Sequence, residues 1–182
     1  MSDARLLRAF AAELVAAGVT DAIVCPGSRS TPLALALRTA PGLRVRVLLD
    51  ERAAGFFALG LARTSGRPVI LLATSGTAVA EFHPAVIEAE QSRVPLVVLT
   101  ADRPPELRDR GAPQTIDQER LYGRAAKWYV ELPLFDGDPA TDAHVRSIAG
   151  RAVATAAACA RRGPRPPRRR LRPGPGARRS PT

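Results

Sequence analysis

The hydrophobic and polar positions of this chain form two kinds of segment. Short apolar runs, typical of buried strands, are separated by longer stretches in which apolar residues recur at helical spacing. The runs are DAIVC, RVRVLLD, PVILLAT and VPLVVLTA, in that order. Apolar runs that alternate with helices are typical of a parallel sheet covered on both faces. The pattern predicts an α/β fold, a parallel sheet of about five or six strands with helices on both faces.

The longer stretches predict the helices. The first spans residues 3–17, with an apolar stripe at helical spacing and Gly18 as its stop. Thr31 and Pro32 suit the N-cap and first turn of PLALALRTA. The next helices are ERAAGFFALGLARTSG and GTAVAEFHPAVIEAEQS, and we expect the latter to bend near Pro84.

The pattern changes after the fourth apolar run. Residues 102–118 form a polar stretch with several helix breakers, and a loop of this length in a compact domain is usually functional or mobile. KWYVELP then predicts a fifth strand, and DAHVRSIAGRAVATAAACARR predicts a long closing helix. The organisation therefore predicts one domain over residues 1–163 and a separate tail over residues 164–182, rich in Arg, Pro and Gly and expected to be disordered.

Charge separates the same two regions. The net charge is +10, but nine arginines and no acid lie from Arg161 to the end, which leaves 18 basic and 17 acidic residues before them. The domain is nearly neutral, so its charge gives no reason to expect nucleic acid as a partner. A basic arm for nucleic acid stays open for the tail, although it lacks aromatic residues for base stacking.

Apolar runs and cysteines limit the class of protein. No run approaches the roughly 20 apolar residues of a membrane helix, and the N-terminus lacks a signal-peptide layout. Cys25 and Cys159 are the only cysteines, too few for a disulfide framework or a zinc cluster. We predict a cytoplasmic protein with no membrane partner.

Candidate chemistry lies where the apolar runs end, because ligands of open parallel sheets bind outside the carboxyl ends of the strands. CPGSRS, DERAAG, ATSGTA and TADRPPEL all reach that edge. Ser28 and Arg29 suit a clamp for a carboxylate or phosphate, since a guanidinium binds such groups in a bidentate fork. The alternative is a strand–helix turn with capping serines and a solvated arginine.

Other polar residues at this edge carry the same ambiguity. Glu51 either has a chemical role or stabilises the first turn of a helix. Arg103 is a second anion clamp or an exposed loop residue, and Gln114 binds a ligand or sits in a turn. His83 and His144 give no case for acid–base chemistry. Neither a GxGxxG nor a GxxxxGK[ST] motif is present, which counts against a dinucleotide-binding or P-loop protein.

Five segments together are specific. CPGSRSTPLALAL, DERAAGFFALGLA, TSGTAVAEFHPAVIEA, VPLVVLTADRPPEL and GAPQTIDQ, in this order, closely resemble the N-terminal domain of the MenD family, the 2-succinyl-5-enolpyruvyl-6-hydroxy-3-cyclohexene-1-carboxylate synthases of menaquinone biosynthesis. The resemblance implies the pyrimidine-binding domain of a homo-oligomeric enzyme that uses thiamine diphosphate and Mg²⁺. Such an enzyme decarboxylates 2-oxoglutarate and adds the succinyl unit to isochorismate.

The resemblance also implies roles for residues. Glu51 matches the catalytic glutamate that hydrogen-bonds the aminopyrimidine ring of the cofactor. The cofactor-site surroundings match Pro26, Ser75, Gly76 and Thr77. The substrate pocket matches Ser28, Arg29, Arg103 and Gln114. No metal ligand is expected in this chain, because the family holds the diphosphate and Mg²⁺ through a C-terminal Gly-Asp-Gly segment and an Asn, and this sequence contains no asparagine.

The tail departs from the family pattern. The family continues after Gly163-Pro164 as GPVHL, where this chain reads GPRPPRRR. Suitable arginine and proline codons read one nucleotide later give Val-His-Leu, so we predict a frameshifted tail on a truncated chain that is inactive alone. Two alternatives stay open: a non-catalytic α/β module with a basic nucleic-acid-binding tail, and a regulatory half that assembles with a separately encoded C-terminal partner.

Overall fold

Strands and helices alternate along the chain, as the apolar pattern predicts. A computed structural model describes residues 3–133 and 138–160. The helices and strands of the described part are α1 (Asp3–Ala16), β1 (Asp21–Val24), α2 (Thr31–Thr39), β2 (Arg44–Val47), α3 (Glu51–Ser65), β3 (Val69–Ala73), α4 (Thr77–Ala80), α5 (His83–Ser92), β4 (Leu96–Thr100) and α6 (Pro139–Ala160). Short 3₁₀ turns cover Ser28–Ser30, Pro105–Leu107 and Gly123–Ala125.

The sheet is parallel throughout, with the strand order β2-β1-β3-β4. Asp21 of β1 is in register with Arg44 of β2 and with Val69 of β3, and Leu72 of β3 lies opposite Leu99 of β4. Parallel neighbours point the same way, so every strand ends at one common edge, the carboxyl edge. This confirms the prediction of an α/β fold with a parallel sheet.

Each face of the sheet carries its own core, because successive strand residues point to opposite sides. Ile70 and Leu72 of β3 pack with α1, α2 and α6, whereas Val69 and Leu71 pack with α3 and α5. All five residues of β3 are buried. Burial on both faces explains why this strand reads as a continuous apolar run rather than an alternating one, and it confirms helices on both faces.

The predicted fifth strand is wrong. Residues 127–133, KWYVELP, contain no strand, and the sheet of the described part has four strands instead of five or six. Trp128 and Leu132 are partly buried against the core of α1, α2 and α6, while Tyr129 and Val130 are exposed. An extended segment can bury single side chains against the core without ladder hydrogen bonds, so the apolar residues of KWYVELP alone did not establish a strand.

Two helix ends also differ from the prediction. Ser30, not Thr31, is the N-cap of α2, because the 3₁₀ turn Ser28–Ser30 precedes the helix and Thr31 is already helical. The third crossover helix is broken into α4 and α5, with Phe82 as the N-cap of α5 and Pro84 in its first turn. Proline lacks an N–H and clashes with the carbonyl four residues earlier, so the break precedes Pro84.

The boundary predicted at Gly163 and the tail over residues 164–182 lie outside the described residues. Within the described part, no helix is both long enough and apolar enough to span a membrane.

Candidate functional site

The turn after β1 comes very close to the end of β3. A Cβ on Gly27 would lie 2.4 Å from Cβ of Thr74, so only glycine fits here. Beyond it, the Ser30 hydroxyl donates to the Gly27 carbonyl at 3.0 Å, and Thr31 Oγ1 does so at 3.1 Å. Ser30 and Thr31 therefore fasten the turn to the start of α2.

Ser28 and Arg29 lie on the outside of this turn. Both side chains are exposed, as is Pro26 before them. Among the residues that the structure describes, none forms a hydrogen bond or ion pair with the Ser28 or Arg29 side chain. Ser30, not Ser28, occupies the N-cap position of α2, and it makes no side-chain cap hydrogen bond. Within the described residues, the Ser28 hydroxyl and the Arg29 guanidinium are therefore free for a ligand.

Glu51 is the first residue of α3, but it is not the cap of that helix. Asp50 is the N-cap, and its carboxylate accepts a hydrogen bond from Ala53 N–H at 3.0 Å. Arg52 and this N–H together lower the pKa of Asp50. Across 3–133 and 138–160, no residue donates a hydrogen bond to Glu51, whose side chain is partly buried. Helix capping therefore does not occupy the Glu51 carboxylate.

The thiol of Cys25 lies near the Glu51 carboxylate. The thiol is fully buried at the end of β1, and burial, followed by the negative charges of Glu51 and Asp50, raises the pKa of Cys25 to about 12. The Glu51 carboxylate thus lies close enough to this buried thiol to raise its pKa.

The turn after β3 is largely buried and is hydrogen-bonded to Gln114 and Gln118. Ser75 has no exposed surface, and its hydroxyl donates to the Gln114 carbonyl at 2.9 Å. Gly76 adopts φ 81°, ψ −148°, and a Cβ there would lie 2.9 Å from the Gln114 carbonyl oxygen. Only Thr77 of the predicted trio is exposed. Gly76 and Ser75 therefore shape the site through their backbone, and the Ser75 hydroxyl is already engaged.

The long loop after β4 folds back onto this turn. Arg103 donates to the Pro113 carbonyl from Nε at 3.3 Å and from one terminal nitrogen at 3.0 Å. Gln114 has φ 59°, a left-handed conformation that is uncommon for a residue other than glycine, and its side chain is exposed. Strained backbone of this kind persists where surrounding contacts fix it, often at functional sites.

Gln118 and Tyr122 fasten the loop, and sequence reasoning gave neither a role. Gln118 is buried and accepts from Gly76 N–H at 2.7 Å while donating to the Ala101 carbonyl at 3.0 Å. The Tyr122 hydroxyl donates to the Val79 carbonyl at 2.7 Å, and burial raises the pKa of Tyr122. Both lie near the end of a polar stretch, where the sequence carries no signal of burial.

Arg108 ties the outer part of the loop together. It pairs with Asp102 at 3.3 Å, with Glu119 at 2.9 Å and with Glu131, and these pairs raise its pKa, chiefly through Glu131. Only about a quarter of its side chain is exposed. The loop predicted to be functional or mobile is thus a folded segment with several anchors.

The candidate residues fall into two groups. Those with unengaged polar atoms, within the part that the structure describes, are Ser28, Arg29, Glu51, Thr77 and the side chain of Gln114. Ser75, Arg103 and the backbone of Gly76 and Gln114 hold the loops together. The structure brings Ser75, Gly76 and Gln114 into direct contact.

The histidines and possible metal ligands add no further site. The His83 ring packs edge-on against Tyr122, with 5.6 Å between ring centroids, as a structural residue would. Within residues 3–133 and 138–160, no three His, Cys, Asp or Glu side chains form a group able to hold a metal ion.

Comparison with known proteins identifies the family. A family described as "Thiamine pyrophosphate enzyme, N-terminal TPP binding domain" matches residues 4–121. Curated proteins named 2-succinyl-5-enolpyruvyl-6-hydroxy-3-cyclohexene-1-carboxylate synthase are similar: that of Chloroflexus aurantiacus is 61% identical over 148 residues, covering 81% of this chain and 25% of the relative. That of Geobacillus kaustophilus is 59% identical over 161 residues, covering 86% and 28%.

That of Thermobifida fusca is 54% identical, covering 84% of the chain and 28% of the relative. The chain thus spans about a quarter of the length of the curated relatives that it matches. A four-stranded parallel sheet, a carboxyl edge of close-approaching turns and this match agree. The chain belongs to the thiamine pyrophosphate enzymes and carries their N-terminal TPP-binding domain.

Proposed function

We propose that this chain supplies the pyrimidine-binding part of a 2-succinyl-5-enolpyruvyl-6-hydroxy-3-cyclohexene-1-carboxylate synthase, which acts in menaquinone biosynthesis. Such an enzyme decarboxylates 2-oxoglutarate and adds the succinyl unit to isochorismate. The observation that carries the proposal is the Glu51 carboxylate, partly buried at the carboxyl edge and without a donor among the described residues. Identity of 54–61% to proteins with that name supports it.

The residues at this edge fit the pyrimidine end of thiamine diphosphate. Glu51 offers an acceptor for a ring N–H, since its partly buried carboxylate accepts no hydrogen bond from the described residues. Gly76 allows close approach of the backbone, since a side chain there would collide with Gln114. Thiamine diphosphate, when bound, supplies the electron sink that a decarboxylation needs. Glu51 would orient the ring and hold a proton at its carboxylate.

The free cation at the edge suits the proposed substrates. Isochorismate and 2-oxoglutarate each carry two carboxylates, and the exposed Arg29 guanidinium has no acidic partner among the described residues. Ser28, beside it, and the exposed amide of Gln114 can donate further hydrogen bonds. Arg103 gives two of its donors to Pro113 and keeps others for a ligand. These four residues are proposed to bind substrate carboxylates and hydroxyls.

The remaining parts of the proposal concern groups beyond these residues. The resemblance assigns the diphosphate and Mg²⁺ to a C-terminal domain, and we propose no metal ligand from this chain. A homo-oligomer in the cytoplasm is proposed on the same ground. For the 182 residues assayed by themselves, we keep the prediction that they do not turn over substrate.

A chimeric enzyme tests the proposal. The stretch of this chain that aligns with the Chloroflexus aurantiacus synthase, 148 residues at 61% identity, replaces the matching quarter of that relative. We expect the purified chimera, given thiamine diphosphate and Mg²⁺, to consume 2-oxoglutarate and isochorismate at a rate within roughly tenfold of the unaltered relative, because volume-conserving core changes are tolerated.

The control is the relative rebuilt with its own segment at the same junctions. A chimera that folds and assembles like this control but consumes neither substrate would contradict the proposed function. The 182-residue chain, assayed in parallel, tests the prediction that it is inactive alone.

A further inference from the structure

One buried side chain connects the two loops that carry the candidate residues. Gln118 is 8% exposed, and its amide group reaches across 42 residues of sequence to Gly76 and 17 residues to Ala101. The oxygen accepts from Gly76 N–H at 2.7 Å, and the nitrogen donates to the Ala101 carbonyl at 3.0 Å. Both ends of the amide are therefore used, one on each loop.

Gly76 depends on this contact. Its backbone has φ 81°, ψ −148°, a conformation open essentially to glycine alone, and the residue is buried. A buried N–H without an acceptor is costly, so the turn is stable only with the Gln118 oxygen in place. The turn is the one whose backbone shapes the proposed pyrimidine site.

The Ala101 carbonyl is the second hydrogen-bond partner of Gln118. The N–H of Ala101 donates to the Ala73 carbonyl at 3.2 Å and continues the pairing of β4 with β3, and its carbonyl points to Gln118. Gln118 thus sets how far the loop after β4 lies from the turn after β3. A shorter or longer side chain cannot reach both partners at these distances.

Gln114 is fixed through the same arrangement. Its carbonyl accepts a hydrogen bond from the Ser75 hydroxyl at 2.9 Å. A Cβ on Gly76 would lie 2.9 Å from the same carbonyl oxygen. The Gln114 φ of 59° gives the exposed side-chain amide its direction from the backbone. If the Gly76 turn shifts, the Gln114 carbonyl loses its packing surface, and the Gln114 side chain turns with it.

From this we propose that Gln118 is a positioning residue: it holds the Gly76 turn and the Gln114 segment in one fixed relation, so that the cofactor side and the substrate side of the site are aligned. The inference rests on the proposed function for the meaning of that alignment, but not for the alignment itself. Gln118 does not itself touch a ligand in this scheme.

Amide hydrogen exchange on the 182-residue chain tests the alignment without any ligand. In Gln118→Ala, Gly76 N–H should exchange on the order of tenfold faster, because its acceptor is gone, beyond any acceleration of the β3 amides. Gln118→Glu keeps an acceptor for Gly76 N–H but loses the donor to the Ala101 carbonyl, so Gly76 should exchange more slowly than in Gln118→Ala and faster than in the unsubstituted chain. Gln91→Ala, at an exposed glutamine of α5, is the matched control and should change neither.

Unchanged exchange at Gly76 in Gln118→Ala would overturn the inference. Equal acceleration of Gly76 and of the β3 amides would also overturn it, because Gln118 would then contribute only to global stability.

The chimera described above tests the consequence for catalysis. Gln118→Ala should lower kcat/KM for isochorismate by about tenfold or more through loss of alignment, with Gln91→Ala unchanged. An active chimera that keeps full kcat/KM after Gln118→Ala would refute the inference and leave the proposed function intact. An inactive unsubstituted chimera would count against the proposed function, and the exchange measurement alone would then decide the inference.

Discussion

The two edges of the sheet treat the same kinds of charged residue in opposite ways. At the amino edge, where the strands begin, the carboxylate of Asp21 is 2% exposed and has its acceptor positions filled. Arg44 binds it with Nε at 3.0 Å and a terminal nitrogen at 2.7 Å, Arg46 binds it at 2.8 Å, and the Thr20 hydroxyl at 2.8 Å. At the carboxyl edge, Glu51 and Arg29 have no such partners within the described part.

The difference separates charged groups that are paired within the domain from charged groups that we propose bind ligands. Arg44 and Arg46 lie two residues apart on β2, so both reach the same face and converge on Asp21. These contacts, with Arg44 contributing most, hold the pKa of Asp21 well below its usual range. Because its hydrogen-bond positions are filled, Asp21 cannot also bind a ligand. The Glu51 carboxylate and the Arg29 guanidinium can.

The largest effect is expected from removing the open carboxylate. In the chimera, Glu51→Gln should lower kcat by about a hundredfold or more, because an amide cannot exchange a proton with the pyrimidine ring, the role that we propose for the Glu51 carboxylate. Activity measured at saturating thiamine diphosphate checks this. Asp50→Ala is the neighbouring control: it should lower the melting temperature through loss of the α3 cap and keep most of the activity. Equal losses of activity in both variants would show that Glu51 acts only through the helix.

Removing the saturated carboxylate should affect stability instead. Asp21→Asn should lower the free energy of unfolding by about 2–3 kcal/mol, since a buried acceptor of charged hydrogen bonds is lost while the arginines turn to solvent. Urea denaturation of the 182-residue chain measures this. Glu13→Gln breaks the solvent-exposed pair with Arg146 and should cost no more than about 0.5 kcal/mol. A loss for Asp21→Asn as small as that would mean that its ion cluster is not stabilising.

Lowering the pH should weaken the ion cluster around Asp21. The unfolded chain takes up a proton at Asp21 near the usual pKa of about 3.9, whereas the folded chain resists protonation until a much lower pH. The contribution of Asp21 to the free energy of unfolding is therefore complete above about pH 4 and decreases as the pH falls through the folded pKa. Urea midpoints of the natural chain and of Asp21→Asn should converge in acid. Midpoints that stay equally far apart at every pH would contradict the lowered pKa.

The smallest effect is expected for the open arginine. Arg29→Ala in the chimera should raise KM for isochorismate about tenfold through loss of one bidentate carboxylate contact, and it should leave the melting temperature unchanged. Arg44→Ala should do the reverse, lowering the melting temperature and leaving KM unchanged. If Arg29→Ala behaved like Arg44→Ala, the contrast between the two edges would fail at this position.

Much of the fold could be predicted because it follows from burial along single strands and helices. The run PVILLAT is apolar at every position because β3 is covered on both faces, and that local fact is visible in the sequence. Glu51 could be placed at the start of α3, and Arg29 in the turn after β1, from the same boundaries. The ion pairs of Asp21 could also have been predicted, since RVR at the start of β2 puts two arginines on one face.

Contacts between segments far apart in sequence were decided only by the tertiary structure. KWYVELP is mostly apolar, as a strand would be. Whether its backbone pairs depends on a neighbouring strand, which the local sequence does not specify. Gln118 stands in a polar loop and becomes buried only because that loop folds back on Gly76. The sequence by itself thus determined the parallel α/β class, the helices on both faces of the sheet and the family, but not the number of strands. The tertiary structure decided which polar groups at the carboxyl edge are engaged and which stay free, because hydrogen-bond partners are chosen by proximity in space.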